Sequence, residues 1–209
     1  MSSELSSNPI NGMIGGLRIG LLGGSFNPAH QGHRHISLVA LRRLQLHQVW
    51  WLVSPQNPLK PEKGMAPFAQ RMESAQAMAD HPAIRVTDIE TQMGTRYTAD
   101  TIRQLTDRAP GTNFVWLMGA DNLLSFPKWH QWTSIMERVP VAVIARPGYS
   151  LKARLSHAAN RYAHRQFPVE HASRLANEEA PAWVFIEDQP TPLSSTQIRR
   201  QIGSDWVAD

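Results

Sequence analysis

No cysteine occurs in the chain, which excludes disulfide frameworks and thiolate zinc sites. No apolar run approaches the ~20 residues that a membrane helix needs, so a membrane partner is not expected. No lysine/arginine tract of the kind that marks nucleic-acid binding is present, and no nucleic-acid partner is expected either. Internal repeats, heptad runs and low-complexity segments are likewise missing. The opening residues 1–16, MSSELSSNPINGMIGG, lack the charged-then-apolar pattern of a secretion signal. They read as a disordered lead-in, with Met13 as a second start, and cytoplasm as the default location. The remainder, 17–209, reads as a single domain. Of the 209 residues 42% are apolar, ample for one core, and 21 Lys plus Arg against 17 Asp plus Glu leave a formal charge of +4. A mild positive balance fits a phosphate-rich ligand and many ordinary proteins as well.

The most informative stretch is Leu17 to His35, LRIGLLGGSFNPAHQGHRH. An apolar run to Leu22 has the length of a buried strand. It breaks at Gly23-Gly24, passes through Ser25-Phe26-Asn27-Pro28 and restarts as a helix near Gln31. Strand, glycine turn and helix start together aim backbone N–H groups and a helix N-terminus at a phosphate. His30 and His33 stand three apart at that restart, so both imidazoles can reach one anion.

Further along, the spacing predicts a helix over 31–46 with Ile36, Val39, Ala40 and Leu44 buried, and a strand over 49–53. Three prolines in Pro55-Gln56-Asn57-Pro58-Leu59-Lys60-Pro61 forbid regular structure there. A helix then runs from after Pro67 to about Asp80, with Ala69, Met72, Ala75 and Ala79 on one face, and a strand covers 84–87. Thr98 is placed to cap a helix to about Arg108. A strand over 113–118 leads to a second glycine turn, Gly119-Ala120-Asp121-Asn122. A helix from about Trp129 to Arg138, a strand over 141–145, weak helical character over 151–181 and a strand over 183–186 follow. After Pro190 and Pro192, Leu193-Ser194-Ser195-Thr196-Gln197-Ile198-Arg199 reads as a capped helix start. Alternating strands and helices predict an α/β fold: a Rossmann-like, doubly wound, mainly parallel sheet of five to six strands with helices on both faces. In such sheets ligands bind beyond the strands' carboxyl ends, where strand order reverses. The Gly23, Ser54 and Gly119 stretches all lie at such ends.

Several chemistries can be weighed on these residues. The glycines lack the G-x-G-x-x-G spacing and a downstream acid, which disfavours a dinucleotide-dependent oxidoreductase, and no Walker lysine follows them. His30 and His33 could be a metal pair, with His35 and His47 as distant candidates, or two solvated histidines at a helix end. They could equally donate to phosphate oxygens, where phosphoryl transfer needs positioning and electrostatic stabilisation. Ser194, Ser195 and Thr196 with Arg199 one turn on form an anion nest with a bidentate fork. No G-x-S-x-G elbow supports a serine nucleophile. Asp121 is either a helix cap or a ribose acceptor. Of Trp129 and Trp132, on one helix face, one belongs to the core and the other is available to stack on a flat ring. Lys60 is a solvated loop tip or a mobile arm for phosphate.

Gly-Gly-Ser-Phe-Asn-Pro-Ala-His-Gln-Gly-His over 23–33 resembles the signature of the nucleotidyltransferase superfamily that carries an H-x-G-H motif, and 193–199 resembles its second signature, I-S-S-T-x-I-R. Ser54-Pro55-x-Asn57-Pro58-x-Lys60, Tyr97-Thr98-x-Asp100-Thr101, Met118-Gly119-Ala120-Asp121-Asn122, Phe126-x-x-Trp129 and Ala145-Arg146-Pro147-Gly148 make the chain similar to the bacterial nicotinate-nucleotide adenylyltransferases. Asn27 stands where the superfamily usually has Asp, and Leu193 where it often has Ile. The resemblance covers Leu17 to Ile202.

It implies adenylyl transfer from ATP to nicotinate mononucleotide, giving nicotinate adenine dinucleotide and pyrophosphate without a covalent intermediate. Mg²⁺ would travel with the ATP phosphates, with few or no protein ligands. His30 and His33 would contact the phosphates and the transferring group, with Arg199 as the third catalytic side chain. Gly23 and the backbone N–H groups of Gly24, Ser25 and Phe26 would line the phosphate and ribose path. Ser194, Ser195, Thr196 and Arg199 would hold the outer phosphates, and Gly119 and Asp121 would bound the adenosine. Trp129 would stack on the nicotinate ring, Thr98 and the backbone of His130 would bind its carboxylate, and Lys60 would close over phosphate. Nicotinamide mononucleotide and phosphopantetheine are rival acceptors; a non-catalytic nucleotide-binding module and a metal-dependent hydrolase are rival classes. A domain of this size is a monomer or a homodimer, and no apolar stripe chooses between them.

Overall fold

The computed structural model describes residues 15–55, 64–145 and 150–188. Six strands alternate with helices in chain order. They are β1 (Arg18–Gly24), β2 (Gln48–Val53), β3 (Ile84–Thr87), β4 (Asn113–Gly119), β5 (Val141–Ala145) and β6 (Trp183–Glu187). Every pairing is parallel and the order is β3-β2-β1-β4-β5-β6. The expected Rossmann-like doubly wound sheet is therefore present, parallel throughout. Strand order reverses between β1 and β4, which puts the ligand crevice at their carboxyl ends.

The sheet is covered on both faces because its strands are apolar at odd and even positions alike. Ile19, Leu21, Trp50, Leu52, Trp116, Met118 and Val143 point to one face. There they meet α4 (Thr98–Arg108), α5 (Ala120–Ser125), α6 (Trp132–Arg138) and α8 (His157–Arg161). Leu22, Val49, Trp51, Val115, Leu117 and Ile144 point to the other, against α1 (Gln31–Arg43) and α2 (Phe68–Met78). As the spacing predicts, Ile36, Val39, Ala40 and Leu44 of the first helical segment are all buried.

Local structure departs from expectation at several points. Gly23 and Gly24 do not turn; they continue β1, paired with Leu52 and Val53. A Cβ on Gly23 would stand 2.5 Å from Cη2 of Trp116, so glycine is needed there for close packing and not for bending. Gly119-Ala120 is no loop either: β4 runs through Gly119, which caps α5 directly. In α2, Ala69 is exposed and the buried face is Arg71 and Ala75. Thr98 is the first residue of α4 and makes no cap; the cap position belongs to Tyr97. Trp129 precedes α6, separated from it by Gln131 at φ 48°, so Trp129 and Trp132 do not share one helix. Residues 150–181 contain α7 (Ser150–Arg154), α8 and two 3₁₀ segments, Ala163–Arg165 and Val169–Asn177. Gly16 donates to the Gly111 carbonyl at 2.6 Å, tying the start of β1 to the turn before β4. No helix among the described residues is long and apolar enough to cross a membrane.

Candidate active site

The turn at the end of β1 is built by side chains. Phe26 adopts φ 47°, a left-handed conformation that disfavours an L residue by about 1–2 kcal/mol. It is held there by burial, by stacking on Trp51 (centroids 5.0 Å, 16°) and by a tilted contact with His33 (4.6 Å). Asn27 donates through Nδ2 to the Gly64 carbonyl (2.9 Å) and accepts the Ala66 N–H at Oδ1 (3.1 Å). The first of these bonds needs an amide; an aspartate could not donate it.

His30 is the N-cap of α1. Its Nδ1 accepts the Gly32 N–H at 3.0 Å, and the Nδ1 of His33 accepts the His30 N–H at 3.2 Å. A neutral imidazole that accepts at Nδ1 carries its proton on Nε2. Both rings, 3.9 Å apart, are thereby set in the tautomer that presents an Nε2–H donor. Ser37, buried mid-helix, donates to the His33 carbonyl (2.9 Å) and accepts the Trp51 indole N–H (2.7 Å), tying His33 to β2. Neither distant histidine joins the pair: His47 accepts the Arg18 N–H at the opposite end of the sheet, and His35 lies 3.3 Å from Asp188.

Adjacent in the sheet, β4 delivers Gly119 and Asp121. Asp121 is exposed in the first turn of α5, and a Cβ on Gly119 would collide with its Oδ1. Asp121 is therefore not the helix cap; it stands just beyond the carboxyl end of β4. Beyond β4, Trp129 packs edge-on against Phe126 (5.3 Å) and Trp116 (6.1 Å) and stays partly exposed. Trp132, also only partly buried, packs edge-on against Phe126, His157 and Tyr162 with Arg161 over its ring, so both tryptophans lie against the core and neither is fully buried in it, as one was expected to be. His130, exposed, stacks on Tyr97 at 4.3 Å, which joins the start of α4, and so Thr98, to the Trp129 turn. Lys60, Ser194, Ser195, Thr196 and Arg199 lie outside the described residues.

Two residues carry weight that the sequence reading missed. Arg71 is 1% exposed and its guanidinium donates to four backbone carbonyls. The available signal was its position four before Ala75 on a helix face otherwise read for apolar residues. Glu90, in the short helix α3 (Ile89–Met93), is 6% exposed beside the Thr95–Thr101 hydroxyl pair. Burial pushes its carboxyl up to about 7, against hydrogen bonds from Thr101 and Ser54 that pull it down.

Residues 21–201 match the family model described as cytidylyltransferase-like. A protein of Cereibacter sphaeroides called "Probable nicotinate-nucleotide adenylyltransferase" is 54% identical over 87% of this chain and 95% of its own. One of the same description from Parvibaculum lavamentivorans is 52% identical over 90% and 94%. The fold is that of Plasmodium falciparum nicotinic acid mononucleotide adenylyltransferase complexed with NaAD, with a TM-score of 0.67 at 15% identity over 90% of this chain and 85% of that one. With two preset histidines at the switch point of a 3-2-1-4-5-6 sheet, and half its residues shared with such relatives over nearly the whole length, the chain belongs to the nicotinate-nucleotide adenylyltransferases of the cytidylyltransferase-like family.

Proposed function

We propose that the protein transfers the adenylyl group of ATP to nicotinate mononucleotide through His30 and His33. A 5′-phosphate oxygen of the mononucleotide attacks the α-phosphorus. The new P–O bond forms as the bond to the bridging oxygen breaks, and pyrophosphate leaves with that electron pair. Charge grows on the non-bridging and leaving oxygens, and donors already aimed at them act without reorganising. The observation that carries the reading is the pair of Nδ1 acceptor bonds, which make both imidazoles Nε2–H donors. No nucleophile on the protein is required.

Gly23, Gly24, Ser25 and Phe26 lie along the phosphate path, Gly119 and Asp121 bound the adenosine, and Ser194, Ser195, Thr196 and Arg199 hold the outer phosphates. Trp129, Thr98 and the His130 backbone receive the nicotinate, and Lys60 reaches its phosphate. The buried hydroxyl of Ser25, with no partner among the described residues, fits a ligand oxygen. Among the described residues no group of three or more His, Cys, Asp or Glu gathers as a metal site. Donors of the N–H type suit phosphate, and Mg²⁺ is accommodated through ATP's own oxygens, where it neutralises phosphate charge.

The test is pyrophosphate release from ATP with nicotinate mononucleotide, nicotinamide mononucleotide or phosphopantetheine as acceptor. Turnover with the first is expected to exceed the others. Turnover with phosphopantetheine alone would overturn the acceptor assignment, and ATP binding without release in any arm would point to a binding module.

A further inference from the structure

Arg71 is the most fully engaged side chain of the described fold that the proposed chemistry leaves unused. Its Nε donates to the Ala66 carbonyl (3.0 Å), Nη1 to those of Ser25 (2.8 Å) and Ser54 (2.7 Å), and Nη2 to that of Pro55 (2.8 Å). The Phe68 ring lies 5.2 Å below it. No carboxylate pairs with it among the described residues. Placing an unpaired guanidinium almost wholly out of water is expensive unless its donors are used, and here four short bonds use them. Three separate stretches of backbone end on this one planar group: the turn after β1, the exit from β2 and the lead into α2.

The Ser25–Phe26 peptide is trans, the cis bonds of the described chain being Asn27–Pro28 and Ala180–Pro181. Across a trans peptide the C=O and N–H point in opposite directions. With the Ser25 carbonyl held toward α2, the Phe26 N–H faces away from it, and it meets no protein acceptor among the described residues. A cation on the carbonyl also polarises the peptide and strengthens its N–H as a donor.

We infer that Arg71 is a positioning residue of the phosphate-binding turn, which by holding the Ser25 carbonyl aims the Phe26 N–H at the transferring phosphate. This rests on the adenylyl-transfer reading above. Arg71 touches no reacting atom; it acts through the peptide plane and keeps Phe26 in its left-handed conformation. Lysine would keep the charge and lose the fork, so it could not reach all four carbonyls at once.

The experiment measures kcat and KM for both substrates in wild type, Arg71→Ala and Arg71→Lys, with thermal melts. Guanidinium chloride is then added at about 50 mM, far below the molar concentrations that unfold proteins, with sodium chloride as the control. The expected result is a kcat lowered about 100-fold in Arg71→Ala, on the scale of losing one oxyanion donor. KM for nicotinate mononucleotide should move under about threefold by the same differential-binding logic. Guanidinium, and not sodium, should restore part of kcat. Arg71→Lys should fall between, and it decides the matter if Arg71→Ala does not fold. A kcat within about threefold of wild type in either folded variant would overturn the inference. So would a loss that tracks the melting temperature and ignores guanidinium. Wild type that does not turn over ATP with nicotinate mononucleotide would instead defeat the parent reading.

Discussion

The two walls of the crevice are built differently. On the β1–β2 side, His30, Phe26 and Arg71 are 3%, 1% and 1% exposed, and hydrogen bonds to nearby backbone orient His30 and Arg71. On the side reached from β3 and β4, Asp121 and His130 are exposed and Trp129 and Thr98 are only half-buried. The described part of the first wall is held by contacts within the protein. The second presents an aromatic edge, a stacked Tyr97–His130 pair and a helix start, and under the proposed function a ring would cover them. Developing charge is best met by donors that need not move, whereas recognition of a flat acceptor gains from burying surface that was open. Changes in the first wall should therefore appear in kcat, and changes in the second in KM.

The sharpest way to break this contrast is His33→Ala. It removes an Nε2–H donor, and kcat should fall by about 10²–10³-fold while ATP affinity changes little. Equal losses in turnover and in ATP binding by calorimetry would make the wall a binding surface only. Glu90 probes the region where the walls meet, since its carboxyl is tied to Thr101 and to Ser54 at the end of β2. A carboxyl raised from 4.5 to about 7 favours the protonated native form. Its contribution to stability is present below pH 4.5 and lost as pH rises to about 7, up to about 3 kcal/mol at roughly 1.4 kcal/mol per unit. Glu90→Gln should flatten urea-derived stability between pH 5 and 8 and stand above wild type at pH 8; an unchanged slope would place the titration elsewhere.

Trp129→Ala tests the open wall. Losing a stacking platform is worth about 1–3 kcal/mol, so KM for nicotinate mononucleotide should rise about tenfold or more with kcat nearly kept. A fall in kcat alone would erase the division between the walls. The smallest effect is expected at Asn27→Asp, which loses the Nδ2 donor to Gly64 and should lower the melting midpoint by the equivalent of about 1–2 kcal/mol, leaving both kinetic constants close to wild type.

Both family signatures, 23–33 and 193–199, lie in short, contiguous stretches, and that is why they could be read without a structure. Strand runs such as Val141–Ala145 were equally legible, being apolar at every position and bounded by breakers. The glycines misled: a pair after an apolar run reads as a turn, but Gly23 and Gly24 are small because Trp116 of the neighbouring strand fills the space, and no local pattern contains that neighbour. Trp129 and Trp132 look like one helix face until Gln131 at φ 48° parts them. Arg71 looks like a solvated helix residue, because its four acceptors come from residues 25, 54, 55 and 66, scattered along the chain.

By itself the sequence determined the class of fold, the place of the histidine turn at a strand's end and the family, because period, breaker residues and motif spacing are local quantities. Only the tertiary structure decided how that chemistry is aimed. Which imidazole nitrogen keeps its proton depends on cap geometry that the folded turn sets, and which way the Ser25–Phe26 peptide faces and what Trp129 packs against depend on partners that folding brings together from distant points of the chain.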